Sequence, residues 1–131
     1  MVIQAPNNKP LIQGEIADYR LGDEGILYSY SKSIKRTVKN ISGNIELVKR
    51  ITGNKKVPLL IYLSNSHVPD KETRKFSAEQ LPNIYTAMAM VSNSGLGKAI
   101  MNVLFKFKPP AIPMRSFSDD KAAREWLKQY L

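Results

Sequence analysis

Few side chains in this 131-residue sequence have the types and spacing that catalysis needs. His67 is the single histidine, so a histidine-dependent hydrolytic triad would have to use it, and no Gly-x-Ser-x-Gly elbow supplies a nucleophile. Asp119 and Asp120 are a candidate acid–base pair, but adjacent acids at a helix start are typical of capping residues. Cysteine is absent, which excludes disulfides and thiolate zinc sites. We therefore expect no enzyme activity, no metal and no cofactor.

A candidate anion or ligand site at the start of a predicted helix consists of Ser94, Gly95, Gly97 and Lys98. Free backbone N–H groups and the helix dipole favour anions at such a position. The segment departs from the P-loop template, because Ser92 stands where glycine is required and Ala99 where a magnesium-binding Ser or Thr is required. Two hypotheses stay open, an anion site or glycines that permit close helix packing.

The formal charge of +9 is unevenly distributed. Residues 31–56 contain eight Lys or Arg and one acid, a net charge of +7, whereas residues 1–30 sum to −2. A basic segment of this kind attracts phosphate-bearing partners or anionic surfaces, and it is equally typical of a solvated helix face. The tyrosines and Trp126 do not interleave with the basic residues as a stacking platform for nucleic acid would.

The length fits one domain with its own hydrophobic core. Residues 1–13 are rich in Pro and Asn and predict a loosely held arm, which leaves residues 14–131 as a single domain. The sequence contains no basic leader and no run of about 18 apolar residues. We expect a cytoplasmic protein without a membrane span.

The strand that organises the predicted fold is VPLLIYL, residues 57–63, which is apolar on both faces and therefore belongs inside a parallel or mixed sheet. A predicted hairpin comes first, with strands at residues 14–21 and 26–31. The helix between hairpin and central strand has an apolar stripe formed by Ile34, Val38, Ile41, Ile45, Val48 and their neighbours. Gly43 suggests close packing of this helix on the sheet, and Gly53 ends it.

Helices and strands alternate after the central strand. Asp70 is predicted to cap a helix that ends near Gln80, before Pro82. A strand at residues 84–91, a helix at 96–107 and a last strand at 111–117 follow, and Pro113 places the last strand at the sheet edge. The final helix is capped at residues 118–120, and its predicted apolar face consists of Ala123, Trp126, Leu127, Tyr130 and Leu131. This order predicts an α/β fold with a mixed five-stranded sheet and about four helices.

The chain resembles the SpoIIAA-like domains, the fold of the STAS domains, which is related to the CRAL-TRIO lipid-binding domains. The resemblance covers residues 14–131. It is carried by the hairpin DEGIL at residues 23–27, the strand VPLLIYL, the glycine-containing helix start at 94–98 and the ending FSDDKAAREWL at 117–127. The ending is similar to the F-x-(D/S)-x-x-x-A-x-x-W-L pattern of small bacterial SpoIIAA-like proteins.

The resemblance implies a β-α superhelix in which successive strands are neighbours and the helices lie mainly on one sheet face. The other face then needs a cover, because large apolar patches are rarely left exposed, and a homodimer is the simplest cover. STAS regulators carry a phosphorylatable hydroxyl after the central strand. The matching positions are Ser64 and Ser66, for which backbone hydrogen bonding in a turn is the alternative interpretation.

Three functional hypotheses follow. The first is a regulatory or protein-interaction module of the SpoIIAA-like type without enzyme activity. The second is a domain that binds a lipid or another apolar small molecule under a movable lid formed by Leu96, Ile100, Met101, Leu104 and Phe107, since Met packs adaptably. The third is a nucleic-acid binder that uses the basic helix of residues 32–56. The aromatic residues argue against it, because they do not interleave with the basic residues.

Overall fold

The computed structural model describes residues 11–64, 69–92, 95–104 and 110–131. The strands are β1 (Ala17–Leu21), β2 (Leu27–Ser31), β3 (Val57–Tyr62), β4 (Tyr85–Val91) and β5 (Met114–Phe117). The helices are α1 (Val38–Thr52), α2 (Lys71–Ile84), α3 (Leu96–Leu104) and α4 (Asp120–Leu127), and a short 3-10 turn, Lys128–Tyr130, follows α4. The strands are neighbours in chain order, with β1 antiparallel to β2 and the other pairs parallel. The predicted mixed five-stranded α/β sheet is thus confirmed.

Strand β3 lies at the centre of the sheet, as its apolar run predicts. Leu59 and Leu60 point to opposite faces and are both buried, because successive side chains of a strand alternate between faces. The face that carries Leu59 is covered by α1, α2 and α3, whose apolar residues form one hydrophobic cluster with it. Most helices therefore lie on one face, as expected.

Helix α4 covers the opposite face. Ala123 and Leu127 are completely buried and pack in a second hydrophobic cluster with Tyr28, Leu60 and Ala89 from three adjacent strands. The homodimer was predicted because this face was expected to have no cover within the chain. That expectation is wrong, because α4 covers the face.

Helix α1 begins four residues later than its apolar stripe predicts. Thr37 and Asn40 cap the helix reciprocally, since the Asn40 amide N–H donates to the Thr37 hydroxyl at 3.1 Å and the Thr37 N–H donates to the Asn40 side chain at 2.8 Å. Ile34 lies before this cap and is 40% exposed, so its placement on the buried stripe is wrong. The C-terminal end agrees with the prediction, because Gly53 adopts φ +65°.

Helix α2 continues through Pro82 to Ile84, beyond the predicted end near Gln80. The proline stands in the last turn, where it removes only one intrahelical hydrogen bond. The hydrogen bond at the C-terminal end of the helix is kept, since the Tyr85 N–H donates to the Leu81 carbonyl. Buried Ile84 then passes directly into β4, so no loop separates the helix from the strand.

The remaining boundaries shift by a few residues. Ile12 forms an isolated bridge with Tyr19, so residues 11–13 lie against β1. Strand β5 pairs with β4 alone and lies at the sheet edge, as Pro113 predicts, but it begins at Met114 because Pro113 has no N–H to donate. Leu131 is 60% exposed, which corrects its predicted place on the buried face of the last helix.

Candidate functional site

A pocket of about 160 Å³ lies between the sheet and the pair of helices α1 and α2. Its floor comes from β1 to β4, and its roof comes from one face of each helix. Apolar side chains form most of the wall, namely Ile16, Ala17, Ile41, Ile45, Leu59, Ile61, Leu81, Ile84 and Met88. Ser77 and Gln80 of α2 add polar side chains to the roof.

Three hydroxyl groups lie on the floor of this pocket, on Tyr19, Ser29 and Tyr85. All three residues are buried, and Ser29 is only 1% exposed. Burial raises the pKa of the Tyr19 hydroxyl, while hydrogen bonds with Asn44, Ser29 and Tyr85 lower it in part. Burial also raises the pKa of Tyr85 well above its usual value. Both phenols are therefore neutral at physiological pH.

Asn44 joins the helix roof to this hydroxyl cluster. Its side-chain nitrogen donates a hydrogen bond of 2.6 Å to the Tyr19 hydroxyl. Its Oδ1 atom is buried and has no hydrogen-bond partner among the described residues. This oxygen lies on the side of Gly14, 3.7 Å from the position that a Cβ atom of Gly14 would occupy.

Arg36 brings a positive charge to the wall of the pocket. Its terminal nitrogens donate to the carbonyl oxygens of Lys32, Ile34 and Ile16, and to the Ser31 hydroxyl at 2.7 Å. Burial lowers the pKa of Arg36 from its usual value, while the nearby Tyr19 raises it. The guanidinium group thus holds the link between β2 and α1 in place, and both of its terminal nitrogens already donate hydrogen bonds within the chain.

A second group of aromatic side chains lies on the α4 face, at the carboxyl ends of β2 and β3. The rings of Tyr30 and Tyr62 stack with centroids 5.0 Å apart. The Tyr62 hydroxyl donates to Asp120 at 3.0 Å, and Arg124 pairs with the same carboxylate at 3.2 Å. Burial, followed by the hydrogen bond to Asp120, raises the pKa of Tyr62. This group fastens the start of α4 to the sheet.

The predicted acid pair therefore has structural partners. Asp119 caps α4 by accepting from the N–H groups of Lys121 and Ala122, each at 3.2 Å. Asp120 is held by Tyr62 and Arg124. The capping interpretation is confirmed for Asp119, whereas Asp120 does not cap the helix and instead binds the side chains of Tyr62 and Arg124.

The predicted anion site at the start of α3 is partly described. Gly95 adopts φ +73°, Lys98 is exposed, and Ser94 lies outside the described residues. The Gly97 N–H donates to the Ser92 hydroxyl at 3.4 Å. A Cβ atom at Gly97 would lie 3.0 Å from the Ser116 Cβ and 3.3 Å from the Met90 Cβ. The glycine that the sequence singled out permits close packing of α3 on the sheet.

The predicted lid and the predicted phosphorylation sites have different surroundings. Ile100 and Met101 are partly buried against the core, and no described residue of α3 lines the pocket under α1 and α2. The Leu104 side chain and Phe107 are outside what the structure describes, as are Ser66 and His67. The Ser64 hydroxyl is buried without a hydrogen-bond partner among the described residues, and its phosphorylation stays a prediction.

The pocket was not predicted from the sequence. Its polar residues are distributed over β1, β2, β4, the linker before α1 and both helices, and no local motif connects them. The sequence contains one signal of the pocket, because successive side chains of β2 alternate between faces and Ser29 therefore lies on the same face as Leu27. A hydroxyl on a buried strand face indicates a polar neighbour across the core.

In the part of the chain that the structure describes, no group of three or more His, Cys, Asp or Glu side chains could hold a metal ion. None of the helices described is long and apolar enough to span a membrane.

The comparisons with known proteins identify the fold. A family model described as "Domain of unknown function (DUF7793)" matches residues 19–131. The crystal structure of an uncharacterised protein from the DUF3478 family with a SpoIIAA-like fold, from Shewanella loihica PV-4, is similar with a TM-score of 0.60 and 16% sequence identity. The match covers 94% of this chain and 99% of that chain. No curated protein matches significantly. The SpoIIAA-like fold expected from the resemblance is confirmed.

Proposed function

This chain belongs to the DUF7793 family, and we propose that it is a non-enzymatic regulatory module that binds an acidic protein partner through the outer surface of α1 and α2. The observation that carries the proposal is the charge of this surface. We call it the basic surface; its cations are Lys35, Lys39, Lys49, Arg50, Lys55, Lys56, Lys71, Arg74 and Lys75. Its acids are Glu46, Asp70, Glu72 and Glu79.

The two helices form one continuous surface, since they pack side by side over the sheet. Lys35 is close enough to Asp70 to lower the pKa of that carboxyl group, after the larger effect of its hydrogen bonds with Thr73. Within the described residues, none of the nine cations forms an ion pair with a carboxylate. By contrast, Lys32 at the edge of this region is paired with Asp18 at 3.0 Å. The positive charge is thus available to a partner.

The burial of the aromatic residues favours a protein partner over single-stranded nucleic acid. Tyr19, Tyr28, Tyr62 and Tyr85 are buried in the two hydrophobic clusters and offer no stacking platform beside the cations. Complementary charge raises the association rate of two proteins and selects among partners. An acidic partner that docks on the basic surface fits this arrangement.

Three further expectations belong to this proposal. The structural roles of Asp119 and Asp120 support a module that acts by binding. The cytoplasm suits a chain without cysteine. A homodimer stays a prediction, although α4 covers the sheet face that originally suggested it.

Site-specific photo-crosslinking in living cells tests the docking surface. We expect a crosslinking amino acid at Lys39 or Arg50 to give discrete protein adducts whose crosslinked peptides are acidic. The charge reversal Lys49→Glu should weaken these adducts, because it removes attraction next to the crosslinker. The matched control is Lys121→Glu on α4, which makes the same charge change on the other side of the sheet and should leave the adducts unchanged.

Other outcomes contradict specific parts of the proposal. Adducts to nucleic acid, or equal adducts from crosslinkers at Lys39 and Lys121, would refute the acidic protein partner. An adduct of twice the mass of the chain would support the homodimer, and its position would show whether the basic surface takes part.

The pocket favours a second candidate function, the binding of a small apolar molecule. Helix α3 contributes no described residue to the pocket wall, so a ligand there would be covered by α1 and α2 and not by the lid expected at residues 96–107.

A further inference from the structure

We propose that the pocket under α1 and α2 binds a small, neutral ring compound that carries one hydroxyl or amide group. The inference rests on the size of the pocket, the apolar wall and the hydroxyl cluster on its floor. It goes beyond the docking of a partner on the basic surface, and either role can hold without the other.

The volume sets the size of the ligand. An apolar cavity of about 150 Å³ holds benzene, so a pocket of 160 Å³ has room for roughly six to eight non-hydrogen atoms. Sites for larger organic ligands enclose about 300–1,000 Å³. A single ring with one short substituent fills this volume, whereas an acyl chain of a lipid would extend beyond it.

The wall sets the chemistry of the body of the ligand. Aliphatic residues of the sheet and of both helices surround most of the space, including Ile41, Leu59 and Ile84. Burial of an apolar ring against them is favourable in proportion to the area removed from water. The body of the ligand is hence apolar.

The floor sets the chemistry of the polar group. Each of the three hydroxyls donates one hydrogen bond and accepts up to two, so a cluster that interacts mainly within itself keeps unused acceptors. Ser77 and Gln80 of α2 add polar side chains to the opposite wall. A ligand hydroxyl or amide can donate to the hydroxyl oxygens of the floor and accept from their O–H groups.

The charges of the site favour a neutral ligand. The phenols of Tyr19 and Tyr85 stay protonated, and the terminal nitrogens of Arg36 are occupied by three carbonyl oxygens and a hydroxyl. A carboxylate would lose its hydration without gaining a free cationic donor. The ligand class is thus an alcohol, phenol or primary amide on a single ring.

Amide NMR titrations of the full chain with benzyl alcohol, toluene and benzoate test this inference. We expect saturable shifts for benzyl alcohol at the amides of Ser29, Ile45 and Tyr85, with a Kd about fivefold lower than that of toluene, because one additional hydrogen bond is formed. Benzoate should bind more weakly than both. Tyr85→Phe should remove the preference for benzyl alcohol over toluene, while Tyr62→Phe, the same change on the other sheet face, should retain it.

A blocking variant provides a second measurement. Ser29→Leu fills the pocket and should abolish the shifts with every compound. If that variant does not fold, the comparison of Tyr85→Phe with Tyr62→Phe decides the question on its own. The inference is overturned if benzyl alcohol gives no saturable shifts, if benzoate binds most tightly, or if folded Ser29→Leu binds as well as the native chain.

Discussion

Alanine substitution at two helical glycines should change the stability of this protein in opposite directions. Gly43 lies on the exposed side of α1, so its predicted close packing on the sheet is wrong, and a Cβ atom there would have no neighbour within 4 Å. Gly97 lies in the first turn of α3, where a Cβ atom would be 3.0 Å from the Ser116 Cβ. The same chemical change therefore relieves a helix penalty at one site and creates a clash at the other.

The magnitudes follow from these distances. In α1, Gly43→Ala should raise the free energy of unfolding by about 0.5–1 kcal/mol, which is the cost of glycine inside a helix. At Gly97 the new methyl group would approach Ser116 closer than the 3.5–4.0 Å of a normal carbon contact, and overpacking of this kind costs about 1–3 kcal/mol. After the helix gain is subtracted, we expect Gly97→Ala to lower the free energy of unfolding by about 1 kcal/mol.

Urea unfolding followed by circular dichroism measures both variants. The double variant Gly97→Ala with Ser116→Gly removes the Cβ atom that the new methyl group meets, so it should recover part of the loss, and the double-mutant cycle should give a nonzero coupling energy. The reasoning is refuted if Gly97→Ala is as stabilising as Gly43→Ala, or if the cycle gives no coupling. Either result would mean that α3 does not pack tightly on β4 and β5.

Two further predictions concern the start of α1 and the buried tyrosines. Thr37→Ala should lower the free energy of unfolding by about 1 kcal/mol, because it removes the N-cap, whereas Ser42→Ala inside the same helix should not destabilise; urea unfolding compares them. Burial raises the pKa of Tyr19, Tyr28, Tyr62 and Tyr85, so the unfolded chain ionises first and stability, complete below pH 10, should fall as the pH rises above about 10. Thermal unfolding between pH 8 and 12 measures this decline, which should be shallower for Tyr62→Phe; an identical decline in both proteins would contradict the assignment.

The strands and helices were predictable because the information is local, whereas the order of the strands in the sheet was implied by the resemblance to SpoIIAA-like domains. The run VPLLIYL has apolar residues on both faces, a helical pattern follows β3, β4 and β5, and Asp70 and Asp119 mark the start of two of these helices. Residues that alternate at a period of two define a strand without reference to the rest of the chain.

The errors occurred where tertiary contacts override local preference. Ile34 continues the apolar stripe of α1, but the reciprocal cap of Thr37 and Asn40 starts the helix after it, and Arg36 ties the preceding linker to carbonyl oxygens. Pro82 signals a helix end, yet buried Ile84 holds the last turn in place. Periodicity describes which residues can be buried, and it does not describe which interaction ends an element.

The pocket could not be predicted for a related reason. Tyr19 and Asn44 are 25 positions apart, and Tyr85 is a further 41 positions along the chain, so only the register of β1 to β4 brings their polar atoms together. The sequence contains the residues of the site without their proximity. The candidate anion site, in contrast, was visible as a continuous segment, and the structure shows Gly97 in a packing role there.

The two faces of the sheet differ in a way that assigns the ligand site to one of them. Strand β4 alternates alanine and methionine, so Ala87 and Ala89 face α4, and Met88 and Met90 face the other helices. Small side chains let α4 approach closely, and Ala87, Ala89, Ala123 and Leu127 on that face are completely buried. On the opposite face, larger side chains hold α1 and α2 farther from the strands, and the hydroxyl cluster leaves part of the intervening space open. The pocket that we propose as a small-molecule site therefore lies beneath the two helices that also carry the proposed basic surface.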